Sequence, residues 1–102
     1  MPVQRQININ KSGGGITFTP NPLQANTQDQ IFWTNNDDKP HWPGRVNTDG
    51  TINKTFFMDN QIAPNSTSPI FSPSVPTPEG EPLKYQCSLP GHENETGSIT
   101  VT

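Results

Sequence analysis

An all-β sandwich is the fold that this chain of 102 residues predicts, and three features lead there. Short runs in which apolar and polar residues alternate recur along the chain, the period-two signature of strands with one buried face. Turn formers punctuate these runs, and 12 prolines with 8 glycines leave little room for long helices. The candidate runs number seven at short spacing, as in a sandwich of short strands.

The first run covers residues 3–10, with Val3, Arg5, Ile7 and Ile9 on one side. Lys11-Ser12-Gly13-Gly14-Gly15 is a flexible turn. Residues 16–19 alternate again, and Pro20 and Pro22 end that run. Residues 23–29, polar apart from Leu23 and Ala25, read as a loop. Residues 30–35 form the strongest strand, dense in Ile, Phe, Trp and Thr, with Ile31 and Trp33 on one face and Phe32 on the other. The turn 35–40 closes it and His41 follows, with Trp42-Pro43-Gly44 as exposed loop. Thr55-Phe56-Phe57-Met58 reads as a short strand or one helical turn, and residues 69–72 as a brief strand. Residues 73–82 hold four prolines and read as surface loop. Residues 83–87 place Leu83, Tyr85 and Cys87 on one face, and residues 97–102 close the chain with Ile99 and Val101 inward.

Composition bounds the function. The length suits one domain, residues 1–102, with one modest core. Apolar residues are 27% and mean hydropathy is −0.75, but charged residues are only 15% and the net charge is −3. A disordered chain combines low hydrophobicity with high net charge, and this one lacks the second. Six Lys and Arg are scattered without a basic cluster, which argues against nucleic-acid binding. No apolar run approaches the roughly 20 residues of a membrane span. Residues 1–4 lack the apolar stretch of a secretory signal, as in a cytosolic protein or an exported one whose signal has been removed. One cysteine permits no intramolecular disulfide.

The chemistry concentrates in two places. Tyr85-Gln86-Cys87-Ser88-Leu89-Pro90-Gly91-His92 holds the only cysteine and one of two histidines; the other, His41, ends the turn after the strongest strand. A thiolate with two imidazoles is the donor set of a trigonal copper site, and it suits copper in both oxidation states. Leu89, Pro90 and Gly91 make the loop between Cys87 and His92 stiff and largely apolar, which limits water at a bound metal. Zinc is the rival, since thiolate, imidazole and carboxylate donors also bind it tetrahedrally. A thiol nucleophile is a further reading, but no oxyanion motif or catalytic acid pair accompanies Cys87, and the chain reads as a non-enzyme.

The spacing Tyr85-x-Cys87-x-x-Pro90-Gly91-His92, followed by Gly97-x-Ile99-x-Val101, resembles the carboxy-terminal ligand loop and last strand of the cupredoxins, the blue copper proteins. Ile31-x-Trp33-x-Asn35 through Pro40-His41 resembles the strand and loop that carry their first histidine ligand. The resemblance implies a Greek-key sandwich of about seven to eight strands holding one type 1 copper ion, with His41, Cys87 and His92 as equatorial ligands. It implies a soluble, extracytoplasmic (periplasmic) carrier of single electrons, a monomer that docks briefly on redox partner proteins. Electrons would pass the exposed edge of His92, framed by the docking residues Trp42, Pro43, Leu89 and Pro90.

Two positions depart from the family pattern. No methionine follows His92; Glu95, three residues on, stands at the axial position. A backbone carbonyl near Lys39 or Pro40, or no ligand at all, are the alternatives there. Trp42 stands where relatives often carry a small polar residue, so a side-chain tie between the ligand loops is not given, although the Trp42 backbone N–H is placed to reach the Cys87 sulfur. Copper storage, sensing or delivery is the second functional reading, and a metal-free β-sandwich binding domain the third.

Overall fold

The computed structural model describes residues 3–102. Eight strands are present: β1 (Gln4–Ser12), β2 (Gly15–Thr19), β3 (Leu23–Ala25), β4 (Gln30–Asn35), β5 (Pro43–Val46), β6 (Ile52–Asn53), β7 (Leu83–Cys87) and β8 (Thr96–Val101). They form two sheets, β2-β1-β4 and β3-β8-β7-β5-β6, and no helix occurs among the described residues. The chain changes sheet after β2, after β3 and again after β4, so spatial neighbours are often distant in sequence, a Greek-key sandwich as expected. Both sheets are mixed: β1 runs parallel to β4, and β3 parallel to β8.

One core fills the space between the sheets. The alternation read from the sequence is realised: Ile7, Ile9, Ile31, Trp33, Tyr85, Ile99 and Val101 are buried. Trp33 is wholly buried, with its ring 5.4 Å from Tyr85 at an interplanar angle of 88° and 5.1 Å from Phe57. Phe18 meets Tyr85 edge-on at 5.0 Å. Edge-to-face contacts of this kind match the positive ring edge to the negative ring face. Tyr85 lies directly over its cross-strand partner Gly97; a Cβ at position 97 would overlap the tyrosine ring and hydroxyl.

Four segments differ from the sequence reading. Residues 23–25 are a strand, because Leu23 and Ala25 alternate inward and pair in parallel with Ile99 and Val101. Pro43 and Gly44, expected as exposed loop, open β5 and are buried. Proline, which donates no hydrogen bond, is tolerated as a first strand residue. Residues 55–58 are neither strand nor helical turn: Phe57 and Met58 reach the core from an irregular turn, so the aromatic run is held by packing instead of a ladder. Residues 69–72 form no strand either. They contribute one bridge, Ile31 to Phe71; Pro69 carries no N–H, and the Trp33 N–H on that edge donates instead to Ser68 Oγ at 2.8 Å.

Truncating Trp33 to alanine empties the centre of this core and is expected to cost about 3–5 kcal/mol. Gly97→Ala forces Tyr85 aside and is expected to cost about 1–3 kcal/mol. Denaturant unfolding measures both, and an undetectable change in either would show that the side chain does not face the core.

Candidate metal centre

Three segments at one end of the sandwich meet here. His41 follows β4 and the turn 36–40, Cys87 is the last residue of β7, and His92 and Glu95 lie in the loop that leads into β8. One donor atom from each of His41, Cys87, His92 and Glu95 lies within 4.8 Å of all the others. All four residues singled out in the sequence as metal ligands are thus brought together. Cys87 Sγ is 3.9 Å from His41 Nδ1 and 3.5 Å from His92 Nδ1. Glu95 Oε1 is 2.9 Å from each of those nitrogens.

Buried Asn35, the last residue of β4, shapes the first loop. Its Nδ2 donates to the carbonyls of Lys39, Ile62 and Ala63 at 2.8, 3.2 and 3.3 Å, and its Oδ1 accepts from the Asp37 N–H at 2.9 Å. Of the two carbonyls named as alternative axial oxygens, Lys39 and Pro40, that of Lys39 accepts from Asn35, while Glu95 Oε1 faces the cluster. His41 is fixed further by a pair of backbone bonds with Ile62, 3.1 and 2.7 Å.

The sequence reading did not single out Asp37, whose Oδ2 lies 2.8 Å from His41 Nε2. Burial opposes ionisation of Asp37, but hydrogen bonds from His41 and from the Asp38 N–H outweigh it and hold the carboxyl below its usual range. An ionised carboxylate only accepts, so Nε2 is the nitrogen that donates to Asp37, and Nδ1 is the one aimed at Cys87 and Glu95. Nδ1 and the Glu95 oxygen are 2.9 Å apart, a spacing that a proton or a bound cation bridges, and this donor set suits a divalent metal. The i−4 spacing from His41 was the one available signal for Asp37, but it sits in a polar turn where sequence shows no burial.

The second loop is tied to the first through Trp42. The Trp42 N–H donates to Cys87 Sγ at 3.4 Å, as the sequence suggested. Its carbonyl accepts from the Ser88 N–H at 2.8 Å and from the Ser88 hydroxyl at 2.9 Å. Ser88 thus supplies the tie that the Trp42 indole N–H, buried without a partner, does not make. The Cys87 N–H donates to the Glu95 carbonyl at 2.9 Å, which closes the loop on itself. Burial pushes the Cys87 thiol up, the Trp42 and Leu89 N–H groups draw it back in part, and the Glu95 charge adds to the rise.

Exposure is uneven. The His92 side chain is 23% exposed, against 1% for His41. Of the residues expected to frame it, Pro90 is exposed, and Trp42 and Leu89 are half-buried. Pro43, expected on the same surface, is buried because it pairs with Cys87 in the β5–β7 ladder.

Fold and donor set together give a cupredoxin-like sandwich with a His-Cys-His-Glu cluster compatible with a type 1 copper site. The chain is similar in structure to a purple cupredoxin from Nitrosopumilus maritimus (TM-score 0.74, 22% identity, covering 95% of this chain and 98% of that one). It is also similar to amicyanin from Paracoccus versutus (TM-score 0.68, 14% identity, covering 99% of this chain and 81% of that one). No protein-family model matches the sequence, and no curated protein matches it. The likeness therefore speaks for the fold.

Two outcomes are expected. A thiol raised by burial stays protonated at neutral pH and must release its proton to a metal, so metal affinity rises with pH, by about tenfold per unit for one proton. Chelator competition across pH checks this, and a flat profile would exclude the thiol as a ligand. Asp37→Ala removes the acceptor that orients His41 and should weaken metal affinity about 10–100-fold. The same competition measures it, with unfolding curves to confirm an intact fold.

Proposed function

We propose that this chain is a mononuclear copper protein that carries single electrons between partner proteins. The observation that carries the reading is the convergence of four donor atoms, one soft thiolate, two imidazoles and one carboxylate, within 4.8 Å at one end of a cupredoxin sandwich. His41 Nδ1, Cys87 Sγ and His92 Nδ1 hold the ion, and Glu95 Oε1 is the fourth ligand. Copper bound there supplies reversible one-electron chemistry; zinc is the substitute the same donors accept.

The protein contributes rigidity and insulation. Asn35, Asp37 and Ile62 fix His41, and the Trp42–Ser88 and Cys87–Glu95 bonds fix the second loop against it. Donors held in this way move little between two charge states. Burial of His41 and Cys87 keeps water off one side of the site. His92 is the imidazole with a solvent-exposed edge, which supports it as the point where electrons leave. Leu89, Pro90 and Trp42 border that edge as a small, partly apolar surface suited to brief encounters, which bury little area. The reading places the protein outside the cytoplasm, as a monomer and without catalytic activity of its own.

Glu95 favours a second reading, copper storage or delivery, because an anionic oxygen stabilises Cu(II) over Cu(I) and so lowers the reduction potential relative to a thioether. Voltammetry separates the two: a carrier cycles reversibly with fast self-exchange, and a store does not.

Adding Cu(II) to the metal-free protein should give an intense thiolate-to-copper band that Cys87→Ser abolishes; a variant that kept its colour would overturn the assignment. Glu95→Met should raise the potential and shift the spectrum toward pure blue, while Glu93→Gln, at an exposed position, should change neither. If Glu95→Gln leaves spectrum and potential unchanged from about pH 4 to 8, the carboxylate is not a ligand.

A further inference from the structure

We propose that the β6 edge beside the metal centre is a docking surface for an acidic face of a redox partner protein; this deepens the electron-carrier reading and rests on it. Lys54 follows β6 and holds its ammonium over the Trp42 ring, 5.2 Å from the centroid. One strand in, Arg45 pairs with Asn53 of β6 and holds its guanidinium over Phe56 at 5.1 Å. Two of the six Lys and Arg in an acidic chain thus sit at one sheet edge. Neither has a carboxylate within ion-pair distance among the described residues, whereas Arg5 is paired with Asp29.

The local backbone is built for this placement. A Cβ at Gly44 would come 2.8 Å from the Lys54 Cα, so only glycine lets the chain after β6 pass close enough for Lys54 to reach the indole. Trp42 in turn touches the site directly, through its N–H to Cys87 Sγ at 3.4 Å. Trp42, of a type that dominates interface energetics, therefore stands with Lys54 beside the sulfur ligand, and Arg45 lies further along β5, opposite Tyr85. Unneutralised cations next to a half-buried aromatic surface complement carboxylates on a partner, and such complementarity acts chiefly on encounter rate and orientation. The alternative role of a charged sheet edge, to discourage strand pairing, needs no partner.

The test begins with NMR of the metal-free protein, titrated at low ionic strength with hexacyanochromate(III), a paramagnetic trianion. Broadening is expected first at Trp42, Lys54 and Phe56. It should vanish at high salt and weaken in a Lys54→Gln, Arg45→Gln double variant whose spectrum remains that of the folded protein. Broadening centred on Lys11 or Lys39, or none, overturns the proposal, and the measurement holds whether or not copper binds.

On the protein loaded with copper and reduced to Cu(I), one electron would pass to hexacyanoferrate(III), giving Cu(II) and hexacyanoferrate(II). The double variant should slow this about three- to tenfold at low salt, leaving transfer to the cationic tris(phenanthroline)cobalt(III) unslowed. Equal slowing of both acceptors overturns the proposal. So does binding to phosphatidylglycerol vesicles with no shift on adding a glutamate-rich peptide, since the occupant would then be a lipid surface.

Discussion

The register of β5 on β7 is the constraint on which the site depends. Pro43 stands opposite Cys87 and Arg45 opposite Tyr85, so the residues just after His41 are locked beside the residues that precede the sulfur ligand. A slip of one residue would turn Cys87 and Tyr85 to the other face of the sheet and remove both the thiol and the core tyrosine from their places. The register is held from both sides. Tyr85 fits over Gly97 on β8, and the Trp42 carbonyl accepts two bonds from Ser88. Core packing and ligand geometry are therefore one problem in this protein.

The first-sheet side shows the same economy. β4 supplies Trp33 to the core and, two residues on, Asn35 to the loop. The segment that covers the free edge of β4 belongs to no strand, yet backbone bonds link Ser68 to Trp33 and Phe71 to Ile31, and the Ser68 hydroxyl takes the place of a ladder partner. The same stretch delivers Ile62 and Ala63, whose carbonyls receive Asn35. An irregular segment is thus stitched to a regular one close to the place where His41 needs rigid support.

What the sequence disclosed followed physical lines. Strands of five or more residues, β1, β2, β4, β7 and β8, were legible because one side of each faces the core. β3 was not, because three residues give only one alternation, and β5 was not, because Pro43-Gly44 carries turn chemistry inside a ladder. Phe56 and Phe57 were visible as an aromatic run, but aromatic rings bury from any backbone shape, so the run did not reveal its conformation. The thiol and imidazole donors were legible because they are rare in this chain, and Glu95 through its spacing from His92. Asp37 and Ser88 were hidden: their effect depends on contacts across the fold, and neither residue type is scarce.

The uneven burial of the four donors has a consequence for lifetime. His41 and Cys87 are sealed, and the open side of the cluster is formed by His92 and Glu95, 23% and 16% exposed in their side chains. Any ion that arrives or departs must pass these two, both carried by the single loop that follows Cys87. On the proposed reading this is also the doorway for electrons. A partner seated there would shut the cargo in while current flows, and metal loss would be confined to the intervals between encounters.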